Sequence, residues 1–224
     1  TPTSGSGGNT PSTPARTPLA LPKAMIPAGS QLYGTNWPGP GCDQQAQAAT
    51  WSKTPNASLT CNADATKLTN TGGAPASVVL QTLPAGKAYP GDYIIQVQVD
   101  IRADSRGAFG VSFRNQPGNQ PGKLAFLITP SGQWQASVYD NTTGTASVLP
   151  GASNAIFGSS MAQGRLTGTI TIDVVVQKDT FTLYVNGERQ GGAQSPLYPN
   201  GTIGLVADAG AVVYYKNLTV YALS

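Results

Sequence analysis

Histidine is absent from the 224 residues, and glutamate occurs once, at Glu188. Without histidine there is no Ser-His-Asp or Cys-His catalytic unit and no His-ligated zinc or haem. A lone glutamate excludes a glycosidase built on a glutamate pair and leaves only aspartate-based versions. Charge is scarce too. Asp, Glu, Lys and Arg make up 10% of the chain, against a usual share of about 25%. The net charge of +3 comes without any Lys/Arg run, so the clustered cations that displace counterions from nucleic acid are missing and no nucleic-acid partner is expected. Long apolar runs are missing as well. No stretch approaches the roughly 18 to 20 residues of a membrane-spanning helix, and the apolar cluster from Ile170 to Val176 is interleaved with polar residues.

Cysteine is nearly absent: Cys42 and Cys61 are the only two. In a Thr/Gly/Pro-rich chain of low charge, an isolated pair reads as one disulfide in an oxidising compartment, secreted or at a cell surface. Such a link is worth about 3 kcal/mol in the loop-entropy model. Two buried free thiols in a reduced protein are the alternative, and a metal site would lack its other ligands. The chain starts at Thr1 without a signal peptide, which reads as a processed N-terminus or a piece of a larger protein.

Glycine (27) and proline (18) are abundant, and their distribution divides the chain. Residues 1–18, TPTSGSGGNTPSTPARTP, carry almost no apolar side chain and cannot bury enough surface to offset their ordering entropy. Next comes LALPKAMIP, in which Leu19, Leu21, Met25 and Ile26 sit among prolines that forbid a helix interior and a central strand. Residues 1–29 are therefore expected to be a flexible or extended N-terminal segment, whose four aliphatic side chains suit a groove or a sheet edge.

Residues 30–224 read as strands. Tyr93, Ile95, Val97, Val99 and Ile101 alternate with more polar neighbours, as do Phe109, Val111 and Phe113; Ile170, Ile172, Val174 and Val176; and Phe181, Leu183 and Val185. That period of two is the signature of strands with one buried face. Turn sequences punctuate them at Gln177-Lys178-Asp179, Asn186-Gly187, Tyr198-Pro199-Asn200-Gly201 and Asp208-Ala209-Gly210, Asn-Gly being the strongest short hairpin signal. No helical periodicity competes. The expectation is an all-β, two-sheet antiparallel jelly-roll sandwich.

The succession GDYIIQVQVDI, GAFGVSFRNQ, FLITPSGQWQASVYD, ITIDVVVQKDTFTLYVNGERQ and GTIGLVADAGAVVYYKNLTVYAL resembles the concanavalin-like, laminin-G-like jelly rolls of bacterial extracellular proteins. Similar domains serve as ectodomains of membrane-anchored bacterial serine/threonine kinases and accompany sugar-processing modules. The resemblance covers roughly residues 76–224. Its shared features, turn glycines, alternating apolars and the closing strand with Asn217-Leu218, make the fold and not the function. Catalytic members of the wider fold carry a closely spaced Glu/Asp/Glu strand motif that is missing here, so the resemblance implies a non-catalytic member.

If Phe109, Val111 and Phe113 face the core, then Ala108, Gly110, Ser112 and Arg114 line the other face of their strand. A floor of small residues ending in an arginine suits a sugar ring. Gln133, Gln135, Tyr139 and Asn186 are the candidate amide and stacking partners beside Arg114. Trp134 and Tyr139 have opposite parity, so one of them belongs to the core. Against this reading stands the plain one, in which Arg114 pairs within the protein and the aromatics pack. Calcium is the one cofactor to consider, with Asp64 and Asp208 in loop settings as candidate ligands, although each also suits a turn that bonds its own backbone. Of two functions, the preferred one is a structural subunit that assembles with copies of itself into an extracellular filament through Leu19, Leu21, Met25 and Ile26, and the alternative is a carbohydrate-binding or sensor domain.

Overall fold

Alternation of apolar and polar residues, broken every few residues by a turn, gives a chain built from strands. The computed structural model describes residues 28–36, 51–80, 92–116, 122–139, 146–149 and 166–223. In chain order its strands are β1 (Ala28–Asn36), β2 (Trp51–Lys53), β3 (Ala57–Cys61), β4 (Thr66–Asn70), β5 (Ala76–Leu80), β6 (Tyr93–Ile101), β7 (Phe109–Asn115), β8 (Lys123–Ile128), β9 (Trp134–Tyr139), β10 (Ala146–Val148), β11 (Gly168–Gln177), β12 (Thr180–Val185), β13 (Glu188–Gln194), β14 (Thr202–Ala207) and β15 (Val212–Leu223).

They form two antiparallel sheets. One runs β13-β12-β11-β6-β15-β4-β3, with β1 also on β15; the other runs β10-β9-β8-β7-β14-β5-β2. The long β15 is shared end to end, since Val212–Tyr215 pair with β4 while Asn217–Leu223 pair with β1. The boundary expected near residue 29 falls inside β1, whose first residue, Ala28, opposes Leu223. Leu19, Leu21, Met25 and Ile26 lie outside the described residues, as does Cys42.

The alternation read from sequence sets the faces. Tyr93, Ile95, Val97, Val99, Ile170, Ile172, Val174, Val176, Phe181, Leu183 and Val185 meet Phe109, Val111, Phe113, Phe126 and Leu205 in one core between the sheets. Phe113 joins the layers, its ring 4.9 Å from that of Phe181 and 6.1 Å from that of Phe126. Tyr215 links them by a polar route, its hydroxyl donating to the carbonyl of Gly110 at 2.8 Å. At the turns, Lys178, Asn186, Gly187 and Gly210 take positive φ values of 48°, 52°, 78° and 69°, as tight antiparallel reversals require.

Candidate functional site

β7, β8 and β14 occupy the middle of the seven-stranded sheet, and their burial extends to both faces. Leu124, Phe126 and Ile128 of β8 enter the core between the sheets. Lys123, Ala125 and Leu127 therefore point the other way. Ala125, Leu127 and Val206 make a separate apolar patch with Ala108 and Tyr139 at its border. On the same face stand Ser77 from β5, Ser112 from β7, and Gln135 and Ser137 from β9. The centre is closed to solvent: Ser112 is 0% exposed, Ser77 1% and Lys123 7%. The margin is open, with Gln135, Tyr139 and Asp208 part-exposed and Gln133 exposed.

Lys123 dominates this face. Its ammonium donates to Ser77 Oγ and lies 4.8 Å from the centre of the Tyr139 ring. Two strands, β7 and β14, separate β8 from β5. In a flat sheet three strand spacings would put them about 14 Å apart, beyond a lysine's reach, so the sheet curls around this face. Lys123 forms no ion pair among the described residues. Burial pushes its pKa down from 10.5 to about 8, the direction expected of an ammonium removed from water. Ser112 Oγ is buried without a hydrogen-bond partner among the described residues. Burial first, and then the charge of Asp208, raise the pKa of the Tyr139 phenol. Gln135 Nε2 donates to Ser137 Oγ at 3.2 Å.

Of the residues singled out in the sequence, Gln135 and Tyr139 share this curved face. Trp134, of opposite parity, enters the core beside Phe126. Gln133 sits at the approach to β9, where Thr129 N donates to its carbonyl at 2.9 Å. Arg114 is not on the face. It has a φ of +53° where the β7–β14 pairing slips between Ser112↔Gly204 and Asn115↔Thr202, and such a bulge re-aims a side chain. Its guanidinium lies 4.9 Å over the Phe181 ring of the opposite sheet and donates to the Lys178 carbonyl. At 3% exposure Arg114 is an internal strut, which corrects its expected place in the groove. Asn186 belongs to the other sheet, in the β12–β13 turn, where its Oδ1 accepts from Thr171 N at 2.9 Å.

The aspartates suggested for calcium are engaged otherwise. Asp64 Oδ2 accepts from Arg102 at 2.6 Å, and Asp208 Oδ1 accepts from the amide of Ala209 at 2.8 Å, the turn-forming use of the side chain. Among the described residues no three His, Cys, Asp or Glu side chains stand together to hold a metal ion. At one end of the other sheet Arg102 bridges Asp64 and Asp100, while Asp104 pairs with Lys67 and accepts from the Tyr214 hydroxyl. Arg102 also stacks 4.2 Å over the Tyr214 ring. That cluster is internally paired. Sequence reasoning placed Ser112 on this face and missed Lys123 and Ser77. The available signal was KLAFLI, apolar without alternation and hence buried on both sides, with a lysine of the same parity as Ala125 and Leu127.

No family model matches the sequence, and no curated protein does. Solved structures do. The carbohydrate-binding module CBM66 of Bacillus subtilis superposes with a TM-score of 0.60 at 14% identity, over 77% of this chain and 96% of that one. A Bacillus subtilis protein of unknown function with a galectin-like fold gives 0.59 at 10% identity, over 87% and 97%. The exoplasmic/lumenal domain of VIP36, in a form bound to Ca2+ and Man3GlcNAc, gives 0.51 at 11% identity, over 78% and 84%. The chain shares with them a two-sheet antiparallel jelly-roll sandwich fold. At these identities the likeness concerns the fold alone.

Proposed function

We propose that this chain is a non-catalytic carbohydrate-binding module, secreted or displayed at a cell surface, whose ligand site is the curved face of the seven-stranded sheet. One observation carries the proposal: Lys123 lies across that face between Ser77 and the ring of Tyr139 with no charged partner among the described residues. A buried ammonium without a counter-ion costs stability and is not needed to hold a sandwich together. Beside it stand an aromatic ring at the open margin and the amide of Gln135. A ring for stacking with a few convergent polar groups is the composition of a small-ligand site. The fold neighbours, two of which are named for or solved with carbohydrate, support the same reading. A sensor ectodomain of a bacterial serine/threonine kinase is one setting in which such a module would work.

A glycan array, followed by titration calorimetry on the hits, tests the proposal. The wild-type chain should bind a defined glycan set, and Tyr139→Ala should weaken the best ligand at least about tenfold, a loss of about 1.4 kcal/mol. A blank array, or hits unaffected by Tyr139→Ala, would remove the site.

A further inference from the structure

We infer that the ligand of the curved face is an acidic sugar, a glycan bearing a carboxylate, with Lys123 as its counter-ion. This rests on the carbohydrate-binding reading above and goes on to name the ligand class. Three features of the face converge on an anion. First, Lys123 is 7% exposed and makes no ion pair among the described residues. An ammonium has more donors than the single hydrogen bond to Ser77 uses. Second, Ser112 lies on the same face, on β7 opposite Ala125, which is two residues along β8 from Lys123. Ser112 is 0% exposed, and its hydroxyl has no hydrogen-bond partner among the described residues. A carboxylate entering from the open margin, with the closed centre parting to admit it, would give the ammonium a counter-ion and the Ser112 hydroxyl an acceptor. Third, the Tyr139 ring touches the ammonium at 4.8 Å and is part-exposed, so a sugar stacked at the margin brings a ring carboxylate within reach of Lys123.

A neutral sugar offers hydroxyls alone and leaves the desolvated charge uncompensated, whereas an anion converts that cost into a charge-assisted hydrogen bond. Asp208 is a further charged group near this face, part-exposed, already accepting the Ala209 amide and close enough to act on Tyr139. It would repel an anion at its own margin, which assigns the carboxylate to the part of the face that holds Lys123, Ser112 and Ser77.

The test compares acidic glycans, such as oligouronates and sialylated oligosaccharides, with neutral ones and with carboxyl-reduced forms of the acidic hits. The full chain is used, by array and then calorimetry. The best ligands should be acidic, and carboxyl reduction should weaken them at least tenfold. Lys123→Met should abolish that difference, leaving acidic and reduced forms bound equally weakly, while Tyr139→Ala weakens both forms. Melting temperatures of Lys123→Met and Lys123→Gln verify that each variant folds. Acidic binding that survives both Lys123 substitutions overturns the inference. So do neutral glycans bound as well as acidic ones, a result that leaves the carbohydrate site in place. Binding to no glycan removes the inference and the carbohydrate reading together.

Discussion

Lys123 and Arg114 show how one residue type, a buried cation, serves two ends. Arg114 is held by a backbone carbonyl and an aromatic ring, the Lys178 carbonyl and Phe181, and delocalised guanidinium tolerates such surroundings. Lys123 is a compact charge that burial has shifted to about 8 from 10.5. The sign of the consequence follows from proton counting. Below about pH 8 the lysine is charged in both states and its burial penalty is fully present. Between about pH 8 and 10.5 the unfolded chain binds more protons than the folded one, so stability rises with pH. The penalty amounts to about 3 kcal/mol, at 1.36 kcal/mol for each pKa unit. Lys123→Met should therefore be more stable than the wild type at pH 7, and the gap should close as the pH approaches 10. Denaturant unfolding of both proteins across that range checks it. A gap that does not change with pH would mean that Lys123 is not desolvated.

Among the elements, β8 and β7 carry the most constraint because both of their faces are buried. β6, by contrast, alternates. Close approach of backbones accompanies that burial. A Cβ at Gly110 would overlap the carbonyl oxygen of Phe126 on β8, and Gly110 also presents its carbonyl to the Tyr215 hydroxyl. Gly110→Ala must push β7 from β8 or tilt the pair, and overpacking of this kind costs about 1 to 3 kcal/mol. The expected outcome is a lower unfolding midpoint with an unchanged denaturant slope. Wild-type stability in this variant would show that the strands have room to separate. At the exposed Gly73 nothing lies within 4 Å of an added Cβ, so Gly73→Ala is the control and should leave the midpoint in place.

At the scale of the whole molecule, two expectations concern how the sandwich is fastened and what it joins. Cys61 ends β3 opposite Thr66, and none of the described cysteines is free. A Cys42–Cys61 bond is then expected, with no titratable thiol in the unreduced, denatured chain and both cysteines appearing after reduction. Loss of the bond should lower stability by an amount on the order of 3 kcal/mol. Two thiols before reduction would remove the bond and weaken the case for an oxidising compartment. Self-assembly through Leu19, Leu21, Met25 and Ile26 is tested by removing residues 1–27, a cut that spares β1 and its pairing with β15. Concentration-dependent sedimentation of the full chain, lost on truncation, would support assembly. A full-length chain that stays monomeric at high concentration would end it.

The sequence by itself determined the fold class and the orientation of the alternating strands, because a period of two admits one buried face and the other choice would expose Ile95, Val97, Phe109 and Val174 to water. It also determined the turns at Asn186-Gly187 and Asp208-Ala209-Gly210, where local backbone preference is enough. Only the tertiary structure decided the site. Gln135 and Tyr139 could be paired by parity along one strand. Ser112 and Lys123 come from neighbouring paired strands, whereas Ser77 comes from a strand remote in the chain and separated from β8 by two others in the sheet, and it meets Lys123 because the sheet curls. Arg114 left its expected face through a backbone twist at a slipped register, which no residue-by-residue alternation encodes. Curvature and register depend on how all the strands pair at once, and a local pattern along one strand carries no information about either.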